Sequence, residues 1–351
     1  MKIAMTADWH ARGIDLDQLE LTLTRMVGKL EAHNVQVLLH AGDVFDKPNI
    51  CDSKAGTNAI EQVVVNFFQH IASLGIQSII IAGNHDMQGV GDKSALAGLD
   101  GRENIKVVRL PSVQVIKGIF IFQKDVSILC LPWSWDRASM PVDFVSHHPN
   151  PDIFLAHVRV DGARMNDVRA YEMTGGDWAI SRKELETIGA KYNALGDFHG
   201  ADGYIGALRQ LNFGEEGNPQ GFKVLDTDTW TAEWVEIESP TYRTVVVRPG
   251  ETPPQPDPPN HLKVRFEGGV DEILAHKLEG EGVVVEQVMD REERVQRADL
   301  SAVNISDPHS LIDLWTPTIQ PAIPAEMQAK MHNLFDEVVF GKKKEAVSCS
   351  R

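Results

Sequence analysis

The chain has little cysteine, few aromatic residues and no long apolar run. Its three cysteines, Cys51, Cys130 and Cys349, stand far apart with no CxxC spacing. That excludes a disulfide framework and argues against a thiolate-bound zinc site, leaving unpaired thiols in a reducing compartment. No apolar segment is long enough to cross a bilayer, so no membrane partner is expected. The opening residues MKIAMTADWH run straight into a strand-like pattern, without the apolar stretch and small-residue site of a leader. A cytoplasmic protein is expected. Positive charge is also scarce, with 34 Lys and Arg against 50 Asp and Glu and a net charge of −16. Residues 1–248 carry 32 acids and 23 bases, and the remainder carries 18 and 11. Neither part is a basic domain, so sequence-independent phosphate binding over a broad surface is not expected. A local site where metal ions supply the positive charge stays open.

What is present is a patterned α/β chain of 351 residues, long enough for one large domain and a smaller one. KIAMTA (2–7) reads as a strand. Leu16, Leu19, Leu23, Met26, Val27 and Leu30 then fall on one helical face. VQVLLHA (35–41) is a second strand, and Ile60, Val63, Val64, Phe67, Phe68 and Ile71 mark a second helix. Gln77–Ala82 is a third strand, so the order is that of parallel strands with helical crossovers. From Ser112 the runs shorten to VQVIK, IFIFQ and VSILCLPW, followed by IFLAH (153–157), a helix near 181–189 and YNALG (192–196). Phe222–Asp226, Ala232–Ile237 and Thr244–Arg248 add a late antiparallel set. The expected fold is a two-sheet α/β sandwich flanked by helices, filling residues 1–248. Six of the twelve residues in 249–260 are proline, which reads as a linker. Residues 261–305 read as a small α+β unit, and 306–351 as a helical region with a basic tail.

The ends of the strands carry the chemistry. The first ends at Asp8-Trp9-His10, the second at Gly42-Asp43-Val44-Phe45-Asp46, and the third at Gly83-Asn84-His85-Asp86. IFLAH ends at His157, and YNALG runs into Asp197-Phe198-His199. In an open α/β sheet, ligands bind outside the carboxyl ends of the strands, so these groups can converge on one edge. Asp8 and His10, like Asp197 and His199, are two apart and share a side of an extended segment. Asp8, His10, Asp43, Asn84, His157, Asp197 and His199 form an oxygen–nitrogen set that suits manganese, iron(II) or zinc. Seven ligands exceed what one catalytic ion with an open position needs, and they suit two ions sharing a carboxylate. Such a pair clamps the attacking and leaving oxygens of a phosphate. The residues therefore ask for binuclear phosphoester hydrolysis.

The series DxH, GDxxD, GNHD, a lone His and GxxH resembles the calcineurin-like metallophosphoesterase superfamily. More narrowly, ADWH, AGDVFD and AGNHD resemble the SbcD family of DNA-repair nucleases, as does GYIGALRQLNFGEEGNPQGFKVLDTD (203–228) with its FGE segment. The motifs cover about residues 1–240, and the proline-rich stretch plus α+β unit is similar in place to that family's capping domain. The resemblance implies that Asp8, His10, Asp43 and His199 hold one metal, and that Asp43, Asn84, His157 and Asp197 hold a second, with Asp43 bridging. It implies that His85 contacts the scissile phosphate and protonates the leaving oxygen. It implies manganese first, with magnesium, iron(II) or zinc as alternatives. It further implies a DNA exonuclease or endonuclease in repair and recombination, acting with an SbcC-like coiled-coil ATPase partner, as a homodimer, in a bacterial or phage-infected cell. One departure stands out. The superfamily usually has GHxH where this chain has Gly196-Asp197-Phe198-His199, and an aspartate there adds negative charge and hardens the site towards manganese or magnesium.

Other residues read more plainly. Asp46 is a turn or supporting carboxylate, His40 a packed core histidine, and His147 and His148 solvated loop residues. Trp9, Trp133 and Trp135 can stack bases, but packing around the metal layer explains them as well. Arg12 and Lys47, beside the metal motifs, are the candidate DNA contacts. Leu311, Leu314 and Trp315 are the candidate partner contacts. Two other readings keep company with the nuclease: a phosphodiesterase or phosphatase for small molecules or phosphoproteins, which suits the acidic charge, and a metal-binding scaffold without turnover.

Overall fold

The computed structural model describes residues 1–48, 57–88, 94–118, 124–133, 147–163, 178–267 and 272–288, with Met327 and Lys330. The expected IFIFQ strand, Trp135, Leu311, Leu314, Trp315 and, apart from Met327 and Lys330, the helical region 306–351 lie outside these residues.

The first strands are β1 (Lys2–Thr6), β2 (Val37–His40), β3 (Gln77–Ile81), β4 (Ile105–Val108) and β5 (Ser112–Ile116). Then come β6 (Val126–Leu131), β7 (Ile153–His157), β8 (Arg159–Val160), β9 (Ala179–Ile180) and β10 (Tyr192–Gly196). The late set is β11 (Gly221–Asp226), β12 (Thr231–Glu236), β13 (Tyr242–Val247), β14 (His261–Glu267) and β15 (Val284–Val288). Helix α1 spans Leu16–Ala32, α2 Thr57–Ser73, α3 Arg182–Ile188 and α4 Glu272–Gly280. Strand β4 has no counterpart among the sequence expectations: IKVV is four residues long and has no clear alternation.

The larger sheet has the order β12–β11–β1–β2–β3–β4, and the second has the order β10–β7–β6–β5. Strands β1 to β4 run parallel, and β11 returns antiparallel beside β1. In the second sheet β6, β7 and β10 are parallel. Period-two alternation decides what each face buries. Ile3, Met5, Val37, Leu39, Ile79 and Ile81 face the second sheet and pack with Ile128, Cys130, Ile153 and Leu155. The alternate residues Ala4, Leu38 and Ile80 pack under α1 and α2, against Leu19, Leu23, Met26, Val64 and Phe68. Leu129, Phe154 and Leu195 point out of the second sheet onto Trp178, Ile188 and Tyr204. The parallel strands β1, β2, β3, β6 and β7 are thus buried on both faces along most of their length, which is why they read as continuous apolar runs.

The chain divides into two compact units, Met1–Thr244 with Gln255–Lys263, and Val245–Pro254 with the described residues from Val264 onward. The proline-rich stretch 249–260 carries neither helix nor strand. Strands β13, β14 and β15 form a sheet of their own, in that order. No helix among the described residues is long and apolar enough to cross a membrane.

Candidate metal centre

Register brings the strand ends together. Thr6 pairs with His40 across β1 and β2, His40 with Ile80 across β2 and β3, and Gly196 with His157 across β10 and β7. The residues beyond these pairs form the site. The loops after β1 and β2 stay hydrogen-bonded to each other: Asp8 donates its N–H to the Gly42 carbonyl at 3.0 Å and His10 to the Asp43 carbonyl at 3.0 Å. The carboxylate of Asp86 ties in the third loop. It accepts from the main-chain N–H groups of Gly83 (3.0 Å), Asp43 (2.9 Å), Val44 (3.3 Å) and Phe45 (2.9 Å). Asp86 is therefore a structural bracket and does not orient the His85 ring. That ring donates from Nδ1 to the Asp46 carbonyl at 2.6 Å, because a carbonyl can only accept.

Two glycines are required by close approach. A Cβ on Gly42 would sit 2.4 Å from His157 Nδ1, and one on Gly83 would sit 2.1 Å from Asp43 Oδ1. Four ligand candidates lie at positive φ: Asp8 at 54°, His10 at 45°, Asp43 at 58° and Asp197 at 103°. Each such residue costs about 1–3 kcal/mol. Fully buried Ile3, Leu38, Leu39, Ile80 and Ile81 in the strands beneath contribute about 1.5–3 kcal/mol each, enough to hold the loops in place.

All seven expected donors meet here. His10 Nε2 faces His199 Nε2 at 3.2 Å. Asp43 Oδ2 lies 3.7 Å from His10 Nε2 and 3.5 Å from His157 Nε2, between the two imidazole groups. His157 Nε2 is 2.9 Å from Asn84 Oδ1 and 3.8 Å from Asp197 Oδ1. Asp8, His10 and His199 form one cluster with ligand-grade spacing, and Asp8, Asp43 and His157 form another. His10, Asp46 and His85 form a third, with Asp46 Oδ1 3.7 Å from His10 Nδ1. His85 sits edge-on to His10, their ring centroids 4.6 Å apart, and donates its main-chain N–H to Asp43 Oδ1 at 2.8 Å.

The electrostatics call for a cation. Burial pushes Asp8 up to about 7 and raises Asp43 as well. Burial, reinforced by His199 and His85, holds His10 well below its ordinary range. Burial also opposes charge on His157, but Asp43, Asp8 and Asp197 outweigh it and hold that imidazole up at about 9. His199 likewise stands at about 9 against burial, through Glu215 and Asp8. Two imidazole nitrogens facing each other share at most one proton, and His10 Nδ1 has no hydrogen-bond partner. Buried carboxylates and imidazoles packed this closely fit divalent cations in the oxygen–nitrogen class.

Supporting contacts fix the ligands. His157 donates from Nδ1 to the Ala41 carbonyl at 2.7 Å, which leaves Nε2 for a metal. His199 Nδ1 lies 2.9 Å from Glu215 Oε1, while Glu215 Oε2 accepts from Leu211 N–H at 2.9 Å. Glu215 is the acid of the FGE segment, and its role had no signal beyond that segment. Arg159, also unexpected, donates from Nε to Asp197 Oδ2 at 3.0 Å. Of the candidate DNA contacts, Lys47 is exposed. Arg12 is engaged with Asp15 Oδ2 at 2.8 Å and with the Leu211 carbonyl at 2.8 Å. Trp9 is fully buried and stacked on Phe68, with its Nε1–H on Thr6 Oγ1 at 2.7 Å. His40 is buried in the same core, edge-on to Trp9.

Comparison with known proteins agrees with this geometry. The chain is 24% identical over 274 residues to exonuclease subunit 1 of Enterobacteria phage T4, an alignment covering 70% of this chain and 70% of that protein. Residues 1–207, the stretch that carries every candidate ligand, match the calcineurin-like phosphoesterase family. With its candidate metal ligands gathered at the carboxyl ends of its parallel strands, this chain belongs to the calcineurin-like phosphoesterases.

Proposed function

We propose that this chain is the nuclease subunit of a metal-dependent DNA exonuclease. The observation that carries the reading is the extent of the likeness to the phage exonuclease subunit. The alignment covers 70% of this chain, whereas the phosphoesterase family matches residues 1–207 of its 351, so the likeness takes in residues outside the family match.

In this reading Asp8, His10, Asp43 and His199 hold one divalent ion, and Asp43, Asn84, His157 and Asp197 hold a second, with Asp43 shared. Manganese is the first choice for both. When bound, the ions supply positive charge to the phosphate and acidify the attacking water. The protein's own part is positional. With Nδ1–H committed to the Asp46 carbonyl, His85 keeps Nε2 for a phosphate oxygen, and a proton carried on Nε2 would pass to the leaving oxygen as its bond to phosphorus breaks. Glu215 and the Ala41 carbonyl fix the rings of His199 and His157. The remaining proposals go with the exonuclease: an SbcC-like ATPase partner, a homodimer, the capping role of residues 261–305, and action on DNA in the cytoplasm of a bacterial or phage-infected cell.

The net charge of −16 favours a second reading, hydrolysis of small phosphodiesters or phosphorylated proteins. End-labelled linear duplex DNA, incubated with manganese and either the wild type or His85→Ala, separates the two. Release of label by the wild type alone supports the nuclease. Hydrolysis of an aryl phosphodiester with the DNA left intact favours the small substrate.

A further inference from the structure

Asp197 is the third carboxylate in a crowded, buried cluster, and its two oxygens do different things. Oδ1 lies 3.8 Å from His157 Nε2, on the side of the metal donors, while Oδ2 accepts from Arg159 Nε at 3.0 Å. Its main-chain N–H is 3.2 Å from Asp8 Oδ1, so the backbone is committed as well. Only 9% of the Asp197 side chain is exposed, against 42% for Arg159. The arginine thus reaches in from the rim. Its backbone is anchored in β8, paired with β9 through Arg159 and Ala179.

We infer that Arg159 is a positioning residue that makes Asp197 a one-oxygen, charge-compensated metal ligand. Without it a carboxylate has two equivalent oxygens and free rotation about its last bond. With Oδ2 held, a single oxygen faces the donors. The pair Asp197–Arg159 then carries no net charge, so Asp197 adds an oxygen donor to the centre without adding net negative charge. This inference rests on the two-ion reading above. It concerns how the second ion is held, and not what is hydrolysed.

Calorimetric titration of the full chain with manganese chloride tests it, with thermal unfolding as a check on folding. The wild type is expected to bind two ions. Arg159→Ala is expected to weaken the second by about tenfold or more, the usual cost of removing a group that orients a ligand. Arg159→Lys should fall between, since an ammonium restores charge but not the fixed guanidinium geometry. In an Asp197→His background, Arg159→Ala should change manganese affinity by less than about twofold, because the oxygen it orients is gone. Unchanged manganese binding in Arg159→Ala, with a raised KM for DNA, would make the arginine a phosphate contact and overturn the inference. An equal loss in both backgrounds would overturn it too. A wild type that binds one ion or none removes the two-ion reading and this inference with it.

Discussion

His85 donates its main-chain N–H to Asp43 Oδ1 at 2.8 Å, so the candidate acid and the candidate shared carboxylate are one rigid pair. The ring of His85 is held separately, by the Asp46 carbonyl. Truncating the ring therefore leaves the main-chain contact in place. His85→Ala is expected to lower kcat for DNA cleavage by about 10²–10⁴, the range for a lost general acid. Manganese stoichiometry should stay at the wild-type value. A variant that loses metal along with activity would assign His85 to the ligand set instead.

In the proposed centre Glu215 would act on the metal through His199, whose ring it holds. Replacing it by glutamine keeps its size but removes the charge that holds the imidazole. Glu215→Gln is expected to weaken manganese binding by about 10–100-fold. Titration of the metal, with activity measured at saturating manganese, separates lost affinity from lost chemistry. Wild-type affinity in the variant would mean that the 2.9 Å contact to His199 is incidental.

Metal and folding should be coupled. The buried donors Asp8, Asp43 and His157, with His199, come together only in the folded chain, so a cation held by them binds the folded state and not the unfolded one. Manganese at one hundred times its dissociation constant is expected to stabilise the fold by about 2.7 kcal/mol per site. Thermal unfolding with manganese and with a chelator reads this directly. Coincident midpoints would argue against a metal bound by these residues.

Asp15 supplies a pH dependence outside the metal centre. Arg209, itself buried, grips it with two hydrogen bonds of 2.7 and 3.0 Å. Burial opposes the ionised form, but Arg209 and then Arg12 outweigh it and hold the carboxyl below its ordinary value of 3.8. A depressed carboxyl stabilises the fold above its unfolded value, and that contribution is lost as pH falls through the folded one. The wild type is therefore expected to lose stability below about pH 4. Asp15→Ala should cost about 3–5 kcal/mol at neutral pH, because it strands a buried guanidinium. Its acid limb should be correspondingly flatter in denaturant titrations across pH.

Much of the centre was legible because each donor closes a strand. Parallel strands with buried faces give unbroken apolar runs, and the residues just after each run gather at one edge of the sheet. Asp8, Asp43, Asn84 and His157 could thus be collected from the sequence before any distance was known. Helices α1 and α2 were equally plain, since their core-facing residues repeat at the helical period. Other features depended on which strands became neighbours. Gly196 pairs with His157, which puts Asp197 within reach of Arg159, 38 positions earlier in the chain. The turn that brings Glu215 back onto His199 is stabilised by the side chain of Asn212, and no periodicity signals it. Adjacency to His85 in the sequence does not by itself say what the Asp86 carboxylate holds. Four main-chain N–H groups from two loops claimed its carboxylate first. The candidate donors and their order can be read along the chain, because strand alternation and strand ends are local properties. Which candidate each supporting residue holds follows from the packed fold, because sheet order and loop packing set those pairings across long separations.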